Sequence, residues 1–292
     1  MRLGRRAGTG DVIDRRGAPS GGGRGPLPLA FGGGGLGTMV LLAVLLLMGK
    51  CASGGGSGFD IGLPQFPGAV APSADNTVSS PDDPSGMFVE DVLADVQDSW
   101  TEQFAGSGKT YERAKLVLFT SSTNSACGPA SSATGPFYCP ADRLVYLDTG
   151  FFEELHQRFG APGDFAQAYV IAHEIGHHVQ TLTGITGRVQ QESERKPNDA
   201  NQLSVRVELQ ADCYAGVWGF SAAKRGILEA GDLEEALNAA AAIGDDRLQR
   251  EAGARVNQDT WTHGSSEQRQ RWFKKGFDSG DPNQCDTFSG GI

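Results

Sequence analysis

Two histidines and a glutamate stand at a spacing that suits a metal ion. They belong to the run His173-Glu174-Ile175-Gly176-His177. On a helix, residues i and i+4 project from one face, so both imidazoles can reach the same ion. Glu174 would lie beside that ion, where it can accept a proton from water. Three of the chain's 5 histidines fall in this stretch, counting His178, which argues against ordinary surface histidines.

A catalytic zinc site needs a third protein ligand and a fourth position for water. Glu208 and Asp212 are again at i and i+4, in a predicted helix with apolar neighbours. Glu208 is the candidate third ligand. Asp212 is the candidate acceptor for the outer N–H of a ligand histidine. A charged surface pair is the alternative for these two carboxylates.

Four other side chains could have roles around the metal. His263, far from the motif and just before a predicted helix cap, is the candidate for stabilising an oxyanion. A histidine that only packs beside the helix start is the alternative. Tyr214 is a weaker candidate for the same role. His178 lies about 100° round the helix from His177, so we expect a structural or cleft-rim position. We expect His156 on the surface.

The pattern HExxH followed by ExxxD resembles the gluzincin metallopeptidases. A wider similarity is to the bacterial family called putative neutral zinc metallopeptidases. The matching segments are Cys127-Gly128 with 135–142, 172–180, 208–218 and 262–269. The resemblance implies zinc on His173, His177 and Glu208, with Glu174 as catalytic base. It also implies an N-terminal membrane segment, and a substrate extended along an edge strand, for which 144–147 is the candidate.

The remaining pattern predicts an α+β, mainly helical domain with a small sheet near its start, zincin-like by the resemblance. Short apolar runs predict strands over 114–119 and 144–147. Apolar periodicity and capping residues predict the helices. These are 87–104 capped by Ser85, 151–159, 164–184 capped by Asp164, 200–225, 232–250, and 265–277 with a capping box of Ser265 and Gln268.

The chain divides into a basic beginning and an acidic body. The first 50 of 292 residues carry seven Lys/Arg and two Asp, a charge of +5. The remaining residues carry eighteen Lys/Arg and thirty-three Asp/Glu, a charge of −15. So acidic a body argues against a nucleic-acid binder. Composition predicts a disordered basic arm over 1–26, a transmembrane signal anchor over 27–49, a Gly/Pro/Ser-rich linker over 50–84 and the metallopeptidase domain over 85–292.

The dense apolar run 36–48 favours a single-pass anchor, with the arginine-rich arm in the cytoplasm and the body outside. A cleaved signal peptide is an alternative, but no clean A-x-A follows the run. A buried core helix is disfavoured by the six arginines beside it. Cys51 suggests a lipoprotein, which Lys50 directly before it disfavours.

Four cysteines of the body allow three disulfide pairings, which the sequence alone does not decide. We favour Cys127 with Cys139, which is a local pair, and Cys213 with Cys285, which would tie the tail to the metal-bearing helix. Such bridges are expected outside the cytoplasm. A cysteine-containing metal site is the alternative, although the spacing matches no common zinc pattern.

These observations predict a membrane-anchored zinc peptidase (a hydrolase) acting on peptides or proteins, with Glu174 as general base. The alternative is a catalytically silent extracytoplasmic module that keeps zinc for structure. Structural zinc usually has four protein ligands, whereas this pattern offers three and a base. A two-histidine, one-carboxylate iron oxygenase is a third possibility, but its ligands usually come from a β-sheet context.

Overall fold

The computed structural model describes residues 1–5, 9–16, 83–157 and 163–292. The predicted anchor over 27–49, Cys51 and nearly all of the predicted linker lie outside these ranges. Within them, no helix combines the length and the apolarity needed to cross a membrane. The described part is α+β and mainly helical, as the sequence predicts.

The elements are numbered here in chain order. The strands are β1 (Val12–Asp14), β2 (Lys115–Phe119), β3 (Ser122–Ser125), β4 (Gly128–Ser131), β5 (Phe137–Cys139) and β6 (Leu144–Asp148). The helices are α1 (Pro84–Gly106), α2 (Phe151–Gln157), α3 (Asp164–Leu182), α4 (Ile185–Arg195), α5 (Ala200–Lys224), α6 (Asp232–Ala242), α7 (Asp245–Glu251) and α8 (Ser266–Ser279).

Four strands form one mixed sheet in the order β1-β2-β6-β5, and β3 and β4 form a separate hairpin. β1 and β6 run parallel to β2, whereas β5 runs antiparallel to β6. β2 and β6 confirm the two predicted strands. The expectation of an edge strand over 144–147 is wrong, because β6 lies between β2 and β5. The edge on that side is β5.

The prediction of a disordered arm is wrong for residues 1–5 and 9–16. Val12 is buried in the main core, and the Arg2 backbone N–H donates to the Ile227 carbonyl oxygen at 2.7 Å. Composition suggested disorder because of the arginines and glycines. The run Asp11-Val12-Ile13-Asp14 forms a strand because β2 offers it an edge to pair with.

Three predicted helix boundaries are wrong. Asp83, not Ser85, caps α1, since its carboxylate accepts from the Gly86 N–H at 3.2 Å. Gly163, not Asp164, is the N-cap of α3. The predicted helix over 232–250 is two helices, α6 and α7, which meet at Gly244.

A close approach explains why the residue at the break, Gly244, is a glycine. A Cβ there would lie 2.4 Å from the backbone nitrogen of Ser266, so only glycine fits where the start of α8 crosses. The capping box at that start is confirmed, with the Gln268 N–H donating to Ser265 Oγ at 3.1 Å and the Ser265 N–H to Gln268 Oε1 at 2.8 Å. Helix α4 and strand β5 were not predicted.

Both favoured disulfides are confirmed. Cys127 bonds Cys139 and joins the β3–β4 hairpin to β5. Cys213 bonds Cys285 and joins the C-terminal tail to α5. With all four thiols in disulfides, the alternative of a cysteine-containing metal site in the body is wrong.

Two glycines let α5 and α8 meet backbone to backbone. A Cβ at Gly216 would lie 2.0 Å from the Phe273 carbonyl oxygen, and one at Gly276 would lie 1.9 Å from the Cys213 carbonyl oxygen. No side chain larger than hydrogen fits at either place unless the helices separate. This contact sets how far α8 reaches across the face of α5.

We expect Gly276→Ala to lower the free energy of unfolding by about 3 kcal/mol or more, since its methyl would overlap main chain that cannot relax. Urea unfolding followed by circular dichroism measures the loss. Gly187→Ala is the matched control, because Gly187 lies in exposed α4 with open space around it. The control should change stability by less than about 1 kcal/mol. Equal midpoints for the two variants would contradict the close contact.

Candidate metal centre

Helix α3 carries the two motif histidines, and α5 carries Glu208 opposite them. Nε2 of His173 is 3.2 Å from Oε2 of Glu208, and Nε2 of His177 is 3.5 Å from Oε1. All three ligand atoms lie within 4.8 Å of one another. Zinc bonds of about 2.0–2.1 Å in a tetrahedron place ligand atoms about 3.3–3.4 Å apart. The three residues therefore fit a zinc ion in spacing and in donor type.

His173 is oriented by a second carboxylate on α5. Its Nδ1 lies 2.9 Å from Oδ1 of Asp212, whose side chain is fully buried. With Nδ1–H donating to Asp212, the lone pair of Nε2 points towards Glu208. The structure thus brings Asp212 to the position that sequence reasoning proposed for it.

Two residues missed by sequence reasoning hold Asp212 in place. Arg269, from α8, donates from Nε to Oδ2 at 2.8 Å and from Nη2 to Oδ1 at 2.9 Å. The Tyr169 hydroxyl donates to Oδ1 at 2.5 Å. Burial would raise the pKa of Asp212, but Arg269 and His173 lower it. Tyr169 stands at i−4 from His173, a same-face signal that could have been found. Arg269 carried no such signal in the sequence, apart from its place in the segment 262–269 that resembles the metallopeptidase family.

Gln180 orients the second histidine and was also missed. Its Oε1 lies 2.9 Å from Nδ1 of His177, and its Nε2 donates to the Val207 carbonyl oxygen at 2.8 Å. The amide therefore connects α3 to α5 beside the candidate metal ligands. Its position three residues after His177 was the available signal, since residues at i and i+3 are neighbours on a helix.

Electrostatics distinguish the two glutamates of the site. Glu174 is only 8 % exposed, and burial raises its pKa, although His173 and His177 act in the opposite direction. Burial would also raise the pKa of Glu208, but interactions with His177, His173 and His263 outweigh burial and hold this pKa well below its usual value. Glu208 therefore remains a carboxylate suited to binding a cation, whereas Glu174 is suited to exchanging a proton.

His263 lies on a loop wrapped around one carboxylate. Oδ2 of Asp245 accepts the backbone N–H groups of Thr262, His263 and Gly264 at 2.8, 2.6 and 2.8 Å. Oδ1 lies 3.2 Å from Nδ1 of His263. Burial lowers the pKa of His263, but Asp245 and the charge of Glu208 outweigh burial and raise it. The loop therefore fixes the imidazole of His263, and its raised pKa favours the protonated form. Asp245 itself was not singled out from the sequence.

The structure places His178, Tyr214 and His156 away from the candidate ligands. His178 is buried, with Nε2 2.6 Å from the Glu112 carbonyl oxygen and Nδ1 3.1 Å from the Tyr138 hydroxyl. Tyr214 packs edge-to-face against Trp100 in the core, with ring centroids 5.2 Å apart. His156 is exposed on α2.

We expect Gln180→Met to weaken zinc affinity by about 10–100-fold, because His177 loses the acceptor that orients it. Competition with a chromogenic chelator measures the affinity, and circular dichroism checks folding. Gln190→Met on exposed α4 is the control and should bind zinc like the unaltered protein. An unchanged affinity in a folded Gln180→Met variant would show that this contact does not orient the ligand.

The chain is similar in sequence to several curated bacterial proteins. The chain is 48% identical to the uncharacterized protein YpfJ of Escherichia coli K12 over 298 residues, covering 100% of both chains. It is 50% identical over 190 residues to the uncharacterized protein Rv2575 of Mycobacterium tuberculosis H37Rv, covering 61% of this chain and 64% of that one. No solved structure matches the chain significantly.

The family model described as putative neutral zinc metallopeptidase matches residues 1–288. That span includes the described N-terminal strand as well as the metal centre. Zinc is the metal that this family implies, and the spacing of the donor atoms fits it. The chain belongs to the putative neutral zinc metallopeptidase family.

Proposed function

We propose that this protein is a zinc-dependent peptidase that hydrolyses peptide bonds with Glu174 as general base. The observation that carries the proposal is the convergence of His173, His177 and Glu208 beside the buried carboxyl of Glu174. Three protein ligands leave a fourth position for water, as in catalytic rather than structural zinc sites. Zinc bound here would lower the pKa of a water molecule and polarise the scissile carbonyl.

Glu174 moves the proton in this proposal. Its carboxylate accepts a proton from the attacking water and then delivers it to the departing amine. The pKa raised by burial supports both roles, because the carboxyl holds a proton more readily than an exposed glutamate does. His173 and His177 lower the pKa of Glu174, so it rises less than burial alone would raise it.

His263 supplies positive charge to the oxyanion that forms on the substrate. Its raised pKa supports a protonated imidazole near neutral pH, and Asp245 holds the ring through Nδ1. Donors fixed before the reaction stabilise developing charge without having to reorganise. His263 therefore acts on the substrate side of the site, while Asp212 and Gln180 act on the ligands.

An extended substrate fits best along β5. This strand is an end strand of the described sheet, and its Tyr138 contacts His178, directly after the ligand His177. Addition of a peptide as a further strand would satisfy backbone groups on both chains. Such a position would bring a scissile bond close to the helix that carries the motif.

We propose further that the domain works outside the cytoplasm, attached to a membrane through residues 27–49. The two disulfides support this location, because such bridges persist in oxidising compartments. The apolar composition of 36–48 supports the attachment.

Glu174→Gln should retain zinc and lose about 10²–10⁴-fold in cleavage rate, because the amide cannot accept the proton. The full zinc-loaded chain is assayed for metal content and for cleavage of a peptide library. Glu153→Gln, at an exposed position of α2, is the control and should cleave normally. Undiminished cleavage by Glu174→Gln would refute the base. An unaltered protein that binds zinc and cleaves nothing would favour the structural-zinc module.

Glu208→Ala and His263→Ala should separate metal binding from catalysis. The first should lose zinc, because only two protein ligands are left. The second should keep its zinc and lose about 10²–10³-fold in turnover, as expected when an oxyanion donor is removed. Metal analysis and peptide cleavage on the same preparations measure both. Full zinc content in Glu208→Ala would rule it out as a ligand, and normal turnover in His263→Ala would rule out its role.

A further inference from the structure

The N-terminal strand is an integral part of the metal-binding domain. Val12 pairs with Leu116 in register, and Val12 is only 5 % exposed. The Leu116 N–H donates to the Asp11 carbonyl oxygen and the Arg15 N–H to the Leu118 carbonyl oxygen, both at 2.8 Å. β1 therefore adds backbone pairing and apolar burial to the sheet. Without it, β2 would present an unpaired edge.

Side chains at both ends of β1 have their partners in the body. The buried Asp11 carboxylate accepts from Gln97 Nε2 at 3.2 Å and from Arg113 Nε at 2.8 Å. At the other end, Arg16 forms an ion pair with Asp83, the residue that caps α1. A buried carboxylate is stable only with such partners. These contacts at both ends fix β1 in one register against the body.

Arg16 and Asp83 also mark the two ends of the stretch 17–82, which lies outside the described residues. Because Arg16 and Asp83 form an ion pair, the residues that flank this stretch lie next to each other. A single membrane crossing would place them on opposite sides of about 30 Å of hydrocarbon. The hydrogen bonds between β1 and β2 need donors and acceptors about 3 Å apart. A paired β1 and a single crossing by this stretch therefore exclude each other.

We infer that residues 9–16 and the metal-binding domain occupy the same side of the membrane. The two disulfides favour the outer side. This arrangement differs from a cytoplasmic arm followed by a single-pass anchor. It depends on the contacts of β1 and not on the chemistry of the metal centre.

Thiol labelling of the full chain tests the inference. Thr9→Cys and Gln190→Cys place single exposed thiols on the arm and on α4, each in a Cys51→Ser background. Right-side-out membrane vesicles are treated with a membrane-impermeant maleimide before and after detergent is added. We expect the two thiols to be labelled equally at both stages. Labelling of one before detergent and of the other only after it would overturn the inference.

A cross-link tests whether β1 is paired in the membrane-bound protein. Ile13 and Val117 are register partners, so Ile13→Cys with Val117→Cys should form a disulfide in the vesicles. Ile13→Cys with Tyr146→Cys is the control. Tyr146 pairs with Val117 from β6, two strand spacings or about 10 Å from β1, beyond the reach of a disulfide. Peptide mass spectrometry under non-reducing conditions detects the link. Its absence from the first pair would also overturn the inference.

Discussion

The buried ion pair of Asp212 and Arg269 is the interaction on which the metal centre depends. Both side chains are almost entirely excluded from solvent, and the guanidinium binds the carboxylate through two nitrogens. An isolated charge at this depth would cost several kcal/mol, so each residue requires the other. The carboxylate has capacity left to accept from Tyr169 and His173. One ion pair thus connects α8, α5 and α3 and orients His173, a candidate metal ligand.

The pair can form only because the helices that carry it meet closely. Gly216 and Gly276 remove side chains where α5 touches α8. Gly176, inside the motif, does the same between α3 and α5, since a Cβ there would lie 3.0 Å from the Ala211 carbonyl oxygen. The variable positions of a metal-binding motif therefore carry packing constraints of their own. Ligand spacing alone would not bring Glu208 to the histidines.

The N-terminal strand β1 also depends on close contacts with residues distant in sequence. A segment whose composition suggests disorder is stabilised by an edge and by charges that distant residues provide, with Arg113 and Gln97 accommodating Asp11. The segment has little tendency to form a strand alone, and backbone pairing with β2 stabilises the strand. The family model also spans these residues, in agreement with an arm that belongs to the domain.

Short-range spacing along the chain is enough to predict several features. The i, i+4 histidines, the strands over 114–119 and 144–147 and the capping box at Ser265 depend on periodicity and neighbours. The remaining features depend on tertiary contacts. Arg269 and Asp245 became part of the site because segments distant in sequence pack together. The need for glycine at position 244, the interior place of β6 and the docking of β1 likewise follow from close approaches between distant segments, which no local pattern encodes.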